Sequence, residues 1–393
     1  MFSPRKIYPE LKEHLKSKQI TVITGMRRTG KTTLLHQLLE DIPSENKLYI
    51  DLERLDNRDL FSQKNYDNIL KEFEAKGLKM SERMYVAVDE IQVLPNIASV
   101  LKYLYDTFDV KFIVTGSSSY YLKNLFNESM AGRKKIFELY PLDFGEYLDF
   151  HKVFYLKSEN WEDRRFNSIE YERVRYHYEQ YVEFGGFPEV VLATGAKEKK
   201  DLLADIISSY VNIDIKSLAD FREDKNIYNL IKILSGRIGT KLDYSKLARL
   251  LGISRPTVMN YLDFFEKTYL LRRVPVFSKS ADREIVKAQK LYFCDNGIAG
   301  FLADLDSGSK FENAIFNQLR NYGEIQYYSL KNGREIDFIL DEKIGLEVKE
   351  SPIETDGKKL TVLAQGAGIK KNRLIGRHQV PNFENYIWGG ELR

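Results

Sequence analysis

The sequence has a single cysteine, Cys294, in 393 residues. One thiol cannot close an internal disulfide, so the chain relies on no disulfide framework and reads as a protein of a reducing compartment, the cytoplasm. It has no apolar run near the roughly 20 residues that cross a bilayer, so no membrane-spanning helix is expected. Met1–Gln19 is mixed polar and lacks the apolar centre of a signal peptide. The five histidines are scattered, and no His/Cys cluster has zinc-ligand spacing. Low-complexity tracts, fixed-period repeats and long linkers are also missing. Neither sign of charge is in excess: 60 Lys+Arg face 57 Asp+Glu, a net of +3 whose meaning depends on how it is distributed.

Hydrophobic residues make up 43% of the chain, which excludes a disordered protein, and the length allows two to four domains. Short β-branched or apolar runs occur at Ile20–Thr24, Lys47–Leu52, Met84–Glu90 and Lys111–Ser118, with amphipathic stretches between them. This alternation predicts a parallel α/β sheet covered on both faces. After Pro141 the spacing becomes helical and aromatic-rich, and Tyr and Phe between 141 and 185 read as packing groups. Strand runs return at Lys290–Cys294, Ile325–Tyr328, Glu335–Leu340 and Gly345–Lys349. Cys294 lies in one of them and reads as a core residue.

Gly25-Met26-Arg27-Arg28-Thr29-Gly30-Lys31-Thr32 matches the phosphate-loop pattern G-x-x-x-x-G-K-[ST] between a predicted strand and a predicted helix over 32–40. Glycines let successive N–H groups curl around phosphate, and the following helix aims its positive end at the same anion. Lys31 would reach the β- and γ-phosphates and Thr32 would ligate Mg²⁺. The candidate ATP-binding set is Gly25, Arg27, Arg28, Thr29, Gly30, Lys31, Thr32 and Thr33, joined by Asp89 and Ser117. Arg27 and Arg28 would touch either nucleotide or a neighbouring subunit. Asp89 and Glu90 end an apolar strand where parallel-sheet sites open, so Asp89 would hold Mg²⁺ and Glu90 would polarise the attacking water. Ser117, at the next strand end, is placed either to sense the γ-phosphate or simply to close a turn.

These motifs resemble those of the bacterial and archaeal AAA-type ATPases that open with G-x-R-R-x-G-K-[ST]. The family continues with a D-E-[IV]-Q motif, here Asp89–Gln92, and a T-G-S-S strand end, here Thr115–Ser118. Next come an [AS]-G-R segment, here Ala131–Arg133, a P-L-x-F segment at Pro141–Phe144 and a G-G-[FY]-P-E segment at Gly185–Glu189. The resemblance implies ATP and Mg²⁺ as cofactors and a homo-oligomer, a ring in many AAA proteins. Arg133 is the candidate for the arginine that completes a neighbouring subunit's site; its alternative is a structural ion pair. Gly185–Pro188 reads as a tight turn with an aromatic plug.

Leu242–Ser254 reads as helix and turn, and Ser254–Leu262 opens a second helix with Ser254 as cap and Pro256 in the first turn. Arg255, Thr257 and Asn260 would lie near the exposed start of that helix, the layout of a helix-turn-helix. It resembles the winged helix-turn-helix that the same ATPase family carries at this position. Arg237–Lys290 holds twelve Lys+Arg against five Asp+Glu, so this segment carries +7 in a chain of +3 and the remainder is slightly acidic. Such a segment suits phosphate-backbone contact with DNA; packing between domains is the plainer alternative.

Near the C-terminus, Asp337 lies on one predicted strand and Glu347 and Lys349 share a face of the next, with Glu312 on an upstream helix. Spacing alone also fits an edge strand with exposed charges. The order D-x₉-E-x-K with an upstream helical Glu resembles the PD-(D/E)xK nuclease fold, which the same family carries at its C-terminus. Ile336 stands where that pattern has Pro. The resemblance implies Mg²⁺ held by Glu312, Asp337 and Glu347, with Lys349 stabilising charge during phosphodiester hydrolysis.

The sequence therefore predicts an α/β chain of four parts: an AAA-type P-loop core over 1–140, a helical lid over 141–235, a winged helix-turn-helix over 236–280 and a restriction-endonuclease-like domain over 281–393. The expected function is an ATPase acting on DNA as a motor or an ATP-regulated nuclease, with Glu90, Arg133, Glu312, Asp337, Glu347 and Lys349 as catalytic candidates. Its alternative is a nucleotide-switched signalling or defence protein whose C-terminal domain binds a partner and does not cleave.

Overall fold

A computed structural model describes every residue except 1, 2, 4, 64, 118–129, 131, 158–160, 216–223, 279–286 and 380–384. Ser118 and Ala131, which belong to two motifs above, lie outside the described residues. The chain forms two compact units. The first is Met1–Tyr140 with Asn212–Ala219 and Lys267–Tyr269, and the second is Pro141–Val211, Asp220–Glu266 and Leu270–Arg393.

In the first unit, β1 (Ile20–Thr24), β2 (Lys47–Asp51), β3 (Met84–Asp89), β4 (Val110–Gly116) and β5 (Lys134–Glu138) form one sheet in the order β2-β3-β4-β1-β5. All four ladders are parallel, as the near-continuous apolar runs require. Alternation sends Val86, Val88, Phe112 and Val114 into the core on one face. Ala87 and Ile113 enter the core on the other, against Leu34, Leu35 and Leu38 of the helix Lys31–Glu40. Each fully buried leucine contributes about 1.5–3 kcal/mol, which fastens this helix to the sheet despite its modest length. β5 was not legible as a strand, because K-K-I-F-E carries one fully buried residue, Phe137, and half-exposed neighbours. The strand order brings the ends of β1, β3 and β4 to one edge of the sheet, where the phosphate loop also emerges.

The second unit begins with helices. Asp143 caps Phe144–Phe150 through a capping box: it accepts from Glu146 N at 2.9 Å, and Glu146 Oε2 accepts from Asp143 N at 3.2 Å. The aromatic residues of this region pack on each other. Phe144 and Tyr178 meet edge to face at 4.9 Å, and Tyr178 meets Trp388 at 5.2 Å. Gly185 sits at φ 76°, where a side chain would collide with the Asp295 carboxylate, and Gly186 N donates to Asp295 at 2.8 Å. The Gly185–Pro188 segment is thus a turn over a buried acid, with Phe187 fully buried, and burial raises the Asp295 carboxyl to about 6.

Two helices, Tyr244–Leu251 and Arg255–Lys267, are joined by a turn with Gly252 in the left-handed region. Asp243 caps the first and Ser254 Oγ accepts from Thr257 N at 3.1 Å in the second. Then β6 (Leu271–Val274) pairs antiparallel with β7 (Lys290–Phe293). The strand expected at 290–294 therefore belongs with residues before position 280 rather than with the C-terminal sheet. That sheet has the order β12-β11-β10-β9-β8, built from β8 (Ile325–Ser329), β9 (Glu335–Leu340), β10 (Ile344–Lys349), β11 (Lys371–Gly376) and β12 (Tyr386–Trp388). β8, β9 and β10 run antiparallel in turn; β11 and β12 continue parallel to β10. The helix Glu354–Ala367 makes the parallel crossover and buries Leu360 and Ala364 against Ile336, Ile339 and Leu374.

Candidate nucleotide and carboxylate sites

Gly25 packs so closely under the first unit's chain that a Cβ there would enter the Leu139 carbonyl oxygen, and Gly30 takes φ 92° to start the helix. The loop between them is braced from below: Arg5, itself buried, donates to Thr29 O at 2.9 Å and Tyr140 O at 2.7 Å. Thr29 Oγ1 donates to Met26 O at 2.9 Å. Lys31 is buried, and its Nζ donates to Gly25 O and Met26 O at 3.0 Å each. Burial pulls the Lys31 amine below its ordinary pKa, opposed by the charges of Glu90, Asp214 and Asp89. Thr33 is exposed and makes no part of the loop floor.

Asp89, at the end of β3, accepts from Thr32 Oγ1 at 2.7 Å, from Tyr49 OH at 3.2 Å and from Thr115 Oγ1. The loop threonine and the strand-end aspartate thus share one point, an oxygen-only pair that fits a hard cation such as Mg²⁺. Glu90 leaves the strand in the left-handed region, φ 55° and ψ 49°, and its N–H donates to Thr115 Oγ1 at 3.0 Å. That backbone form is costly for a non-glycine residue and is a feature of constrained sites. Gln92 Nε2 bridges the Glu90 carboxylate and Ser117 Oγ, the latter at 2.9 Å. Arg27 pairs with Asp214 at 3.0 Å and with Glu53 at 3.4 Å. Burial works against the Arg27 charge, but Asp214 and Glu90 outweigh it and raise its pKa. The structure thus brings Lys31, Thr32, Asp89, Glu90 and Ser117 together. Arg28 takes φ 63° in the same loop. Arg133 instead makes a two-pronged ion pair with Asp106, at 2.9 and 3.2 Å, within its own chain.

The second constellation is in the C-terminal sheet. The β9–β10 ladder ends at Leu346↔Phe338, and the next free amide, Val348 N, donates to the Asp337 side chain at 2.9 Å. The strands therefore part where Asp337 and Glu347 face each other. Glu312 reaches this region from the helix Ser307–Leu319, accepts from Tyr292 OH at 2.6 Å, and crowds Gly239, whose φ of 69° excludes most side chains. Burial, then the Asp337 charge, pushes Glu312 and Glu347 up to about 7 each. Lys349 pairs with Glu347 at 2.9 Å. Lys290, buried at 2% exposure, pairs with Glu335 at 2.9 Å and with Asp337 at 3.8 Å. Among the described residues no three His, Cys, Asp or Glu side chains form a group that could hold a metal ion. The Asp337 charge acts on both glutamates, which ties the three carboxylates into one electrostatic group.

Sequence reasoning missed Asp214, Tyr49 and Arg5 around the loop, and Lys290, Glu335 and Tyr292 around the carboxylates. None lies in a motif: Asp214 sits in an ordinary Y-V-N-I-D-I stretch, and Lys290 opens a strand like any flanking lysine. The basic helix-turn-helix leaves Arg255, Met259 and Asn260 exposed on the second helix, while Val258, Tyr261 and Leu262 are buried.

Residues 17–148 match the AAA domain family, and residues 175–309 match a domain of unknown function, DUF8612. The uncharacterized protein MJ1544 of Methanocaldococcus jannaschii is 30% identical over 335 residues, covering 82% of this chain and 72% of its own. A Haemophilus influenzae protein is 26% identical over 357 residues, covering 86% and 85%. Among solved structures, the Aeropyrum pernix ORC1 protein in complex with DNA aligns over 76% of this chain and 91% of its own, at 10% identity and a TM-score of 0.32. No helix among the described residues is long and apolar enough to cross a membrane.

Proposed function

The chain belongs to the same protein family as MJ1544, and from that premise and its AAA domain we propose that it is an ATPase that binds and hydrolyses ATP and acts on DNA. The observation that carries the ATPase reading is the meeting of Thr32 and Asp89 at 2.7 Å beside buried Lys31 and left-handed Glu90. In this reading the loop N–H groups and Lys31 cradle the phosphates, Thr32 and Asp89 hold Mg²⁺, and Glu90 takes the proton of the attacking water. Mg²⁺, when bound, supplies charge neutralisation between the phosphates. Gln92 fixes the Glu90 carboxylate, so the base is oriented before substrate arrives. Arg133 serves a neighbouring subunit of a homo-oligomer only after leaving Asp106, which makes subunit contact a condition for full activity.

The DNA reading rests on the helix-turn-helix with its +7 segment and on the β6–β7 hairpin that follows it as a wing. Arg255 and Asn260 stand exposed at the start of the second helix, where a major-groove reader would place them. Arg255→Ala is expected to weaken DNA binding and to reduce the slope of log K against log salt by about 1, measured by fluorescence anisotropy across salt concentrations. Unchanged affinity and slope would reject this surface as the DNA contact.

A second reading concerns the C-terminal sheet, whose topology and Asp337-Glu347-Lys349 set support a nuclease-like domain. The ion pairs of Lys290 with Glu335 and of Lys349 with Glu347 favour a domain that binds DNA or a partner without cutting. Linear, single-stranded and branched DNA incubated with the protein, Mg²⁺ and ATP decides between them. Cleavage abolished by both Glu347→Ala and Lys349→Ala supports the nuclease; intact DNA in every case supports the non-cutting domain.

A further inference from the structure

One buried carboxylate beside the phosphate loop has no part in the hydrolytic scheme. Asp214 lies in the π-helical turn Tyr210–Ile215 and is 3% exposed. Asn212–Ile215 belong to the first compact unit, whereas the chain up to Val211 belongs to the second. Its Oδ1 accepts from Arg27 Nε at 3.0 Å and from Ser117 Oγ at 3.1 Å. Arg27 is part of the loop that would wrap the phosphates, and Ser117 closes β4 at the point read as the γ-phosphate sensor. Lys31 also lies within the field of the Asp214 charge. Arg27 and the Ser117 hydroxyl, which a triphosphate would recruit, are therefore already engaged by an internal anion. Burial raises the Asp214 carboxyl above its usual range in spite of Arg27 and Lys31, so the pocket tolerates one negative charge poorly and a second worse.

We propose that Asp214 is a built-in competitor of the nucleotide phosphates: phosphate charge draws Arg27 and Ser117 off the carboxylate, and release of Asp214 unlocks the Tyr210–Ile215 turn. The inference rests on the ATP-binding reading above. A phosphate that took over the Asp214 partners would bring a like charge near the carboxylate, and at an effective dielectric of about 20 such repulsion is strong enough to change an equilibrium about tenfold. A π-helical turn is a rare backbone form that tertiary contacts must hold, and the Asp214 bonds are among those contacts. Nucleotide occupancy is thus converted into a backbone change in the Tyr210–Ile215 turn.

The test uses the full chain, Mg²⁺ and a fluorescent methylanthraniloyl ATP analogue. Asp214→Asn keeps the shape and the acceptor oxygen but removes the charge, and is expected to bind the analogue roughly tenfold more tightly than the wild type. Amide hydrogen exchange over Tyr210–Ile215 should accelerate on adding nucleotide to the wild type, and should already be fast in Asp214→Asn without it. Asp214→Ala serves as the second variant, with melting curves to confirm folding, and should bind at least as tightly as wild type. A merely structural aspartate predicts the opposite sign, weaker binding. Unchanged or weaker binding in both variants, while Lys31→Ala still loses binding, overturns this inference alone. A wild type that binds no analogue overturns the ATPase reading and this inference with it.

Discussion

Lys31→Ala is expected to raise the Kd for ATP by roughly 10- to 150-fold and to abolish hydrolysis at cellular ATP levels. The Lys31 ammonium is buried, and its two protein acceptors, Gly25 O and Met26 O, are neutral carbonyls at 3.0 Å. Exchange of these neutral acceptors for phosphate oxygens turns a charged donor on a carbonyl into an ion pair, a gain of about 1.5–3 kcal/mol, and about 1.4 kcal/mol is a factor of ten in affinity. Alanine forfeits that gain and leaves the two carbonyls to the loop. Burial works against the Lys31 charge in the folded state, so its removal should cost little and the variant should melt within a few degrees of wild type. Titration calorimetry with ATP and Mg²⁺ measures the effect. Wild-type affinity in Lys31→Ala would show that the loop binds no phosphate.

Glu90→Gln is expected to behave differently: ATP binding is retained and turnover falls by about 10²–10⁴-fold, the usual contribution of a positioned general base. Glutamine keeps the length of the side chain and can still meet Gln92, and it accepts the left-handed backbone no worse than glutamate does. What it loses is the capacity to take a proton. The two variants therefore separate binding from chemistry in one site, and phosphate release alongside calorimetry reads both. Glu90→Gly supplies a further contrast. Glycine relieves the positive φ at position 90, so this variant should melt no lower than wild type while being as inactive as Glu90→Gln. A backbone strained at the one residue assigned as base is expected where function rather than stability selects the conformation.

Much of this architecture is legible because local patterns have local causes. Val86-Ala87-Val88 has no polar residue to offer solvent on either face, so it reads as a central parallel strand, and both of its faces are indeed buried. The phosphate loop is legible because only glycine reaches φ 92° at position 30 without strain and only a helix start presents free N–H groups to an anion. Caps at Asp143, Asp243 and Ser254 follow from side chains reaching N–H groups two or three residues on. By contrast, β5 and β6 carry half-exposed lysine or arginine on short segments, and their pairing with β1 and β7 depends on partners about 115 and 20 residues away in the chain, which no window of sequence contains.

By itself the sequence determined the apolar and polar periods, the glycines at the phosphate loop and the placement of Asp89 and Glu90 where an apolar strand ends. These depend on backbone sterics and on the period of side-chain direction, which act over a few residues. The tertiary structure alone decided which charges meet. Asp214 reaches Arg27 across 187 positions of chain, and Lys290 finds Glu335 and Asp337 across more than forty. Those pairings come from burial: a charge taken out of water needs a partner within a few ångströms, and the fold, not the neighbouring residues, determines which partner is there. The same physics pushes the Glu347 and Glu312 carboxyls up to about 7, and the fold brings Thr32 and Asp89 to one point in space.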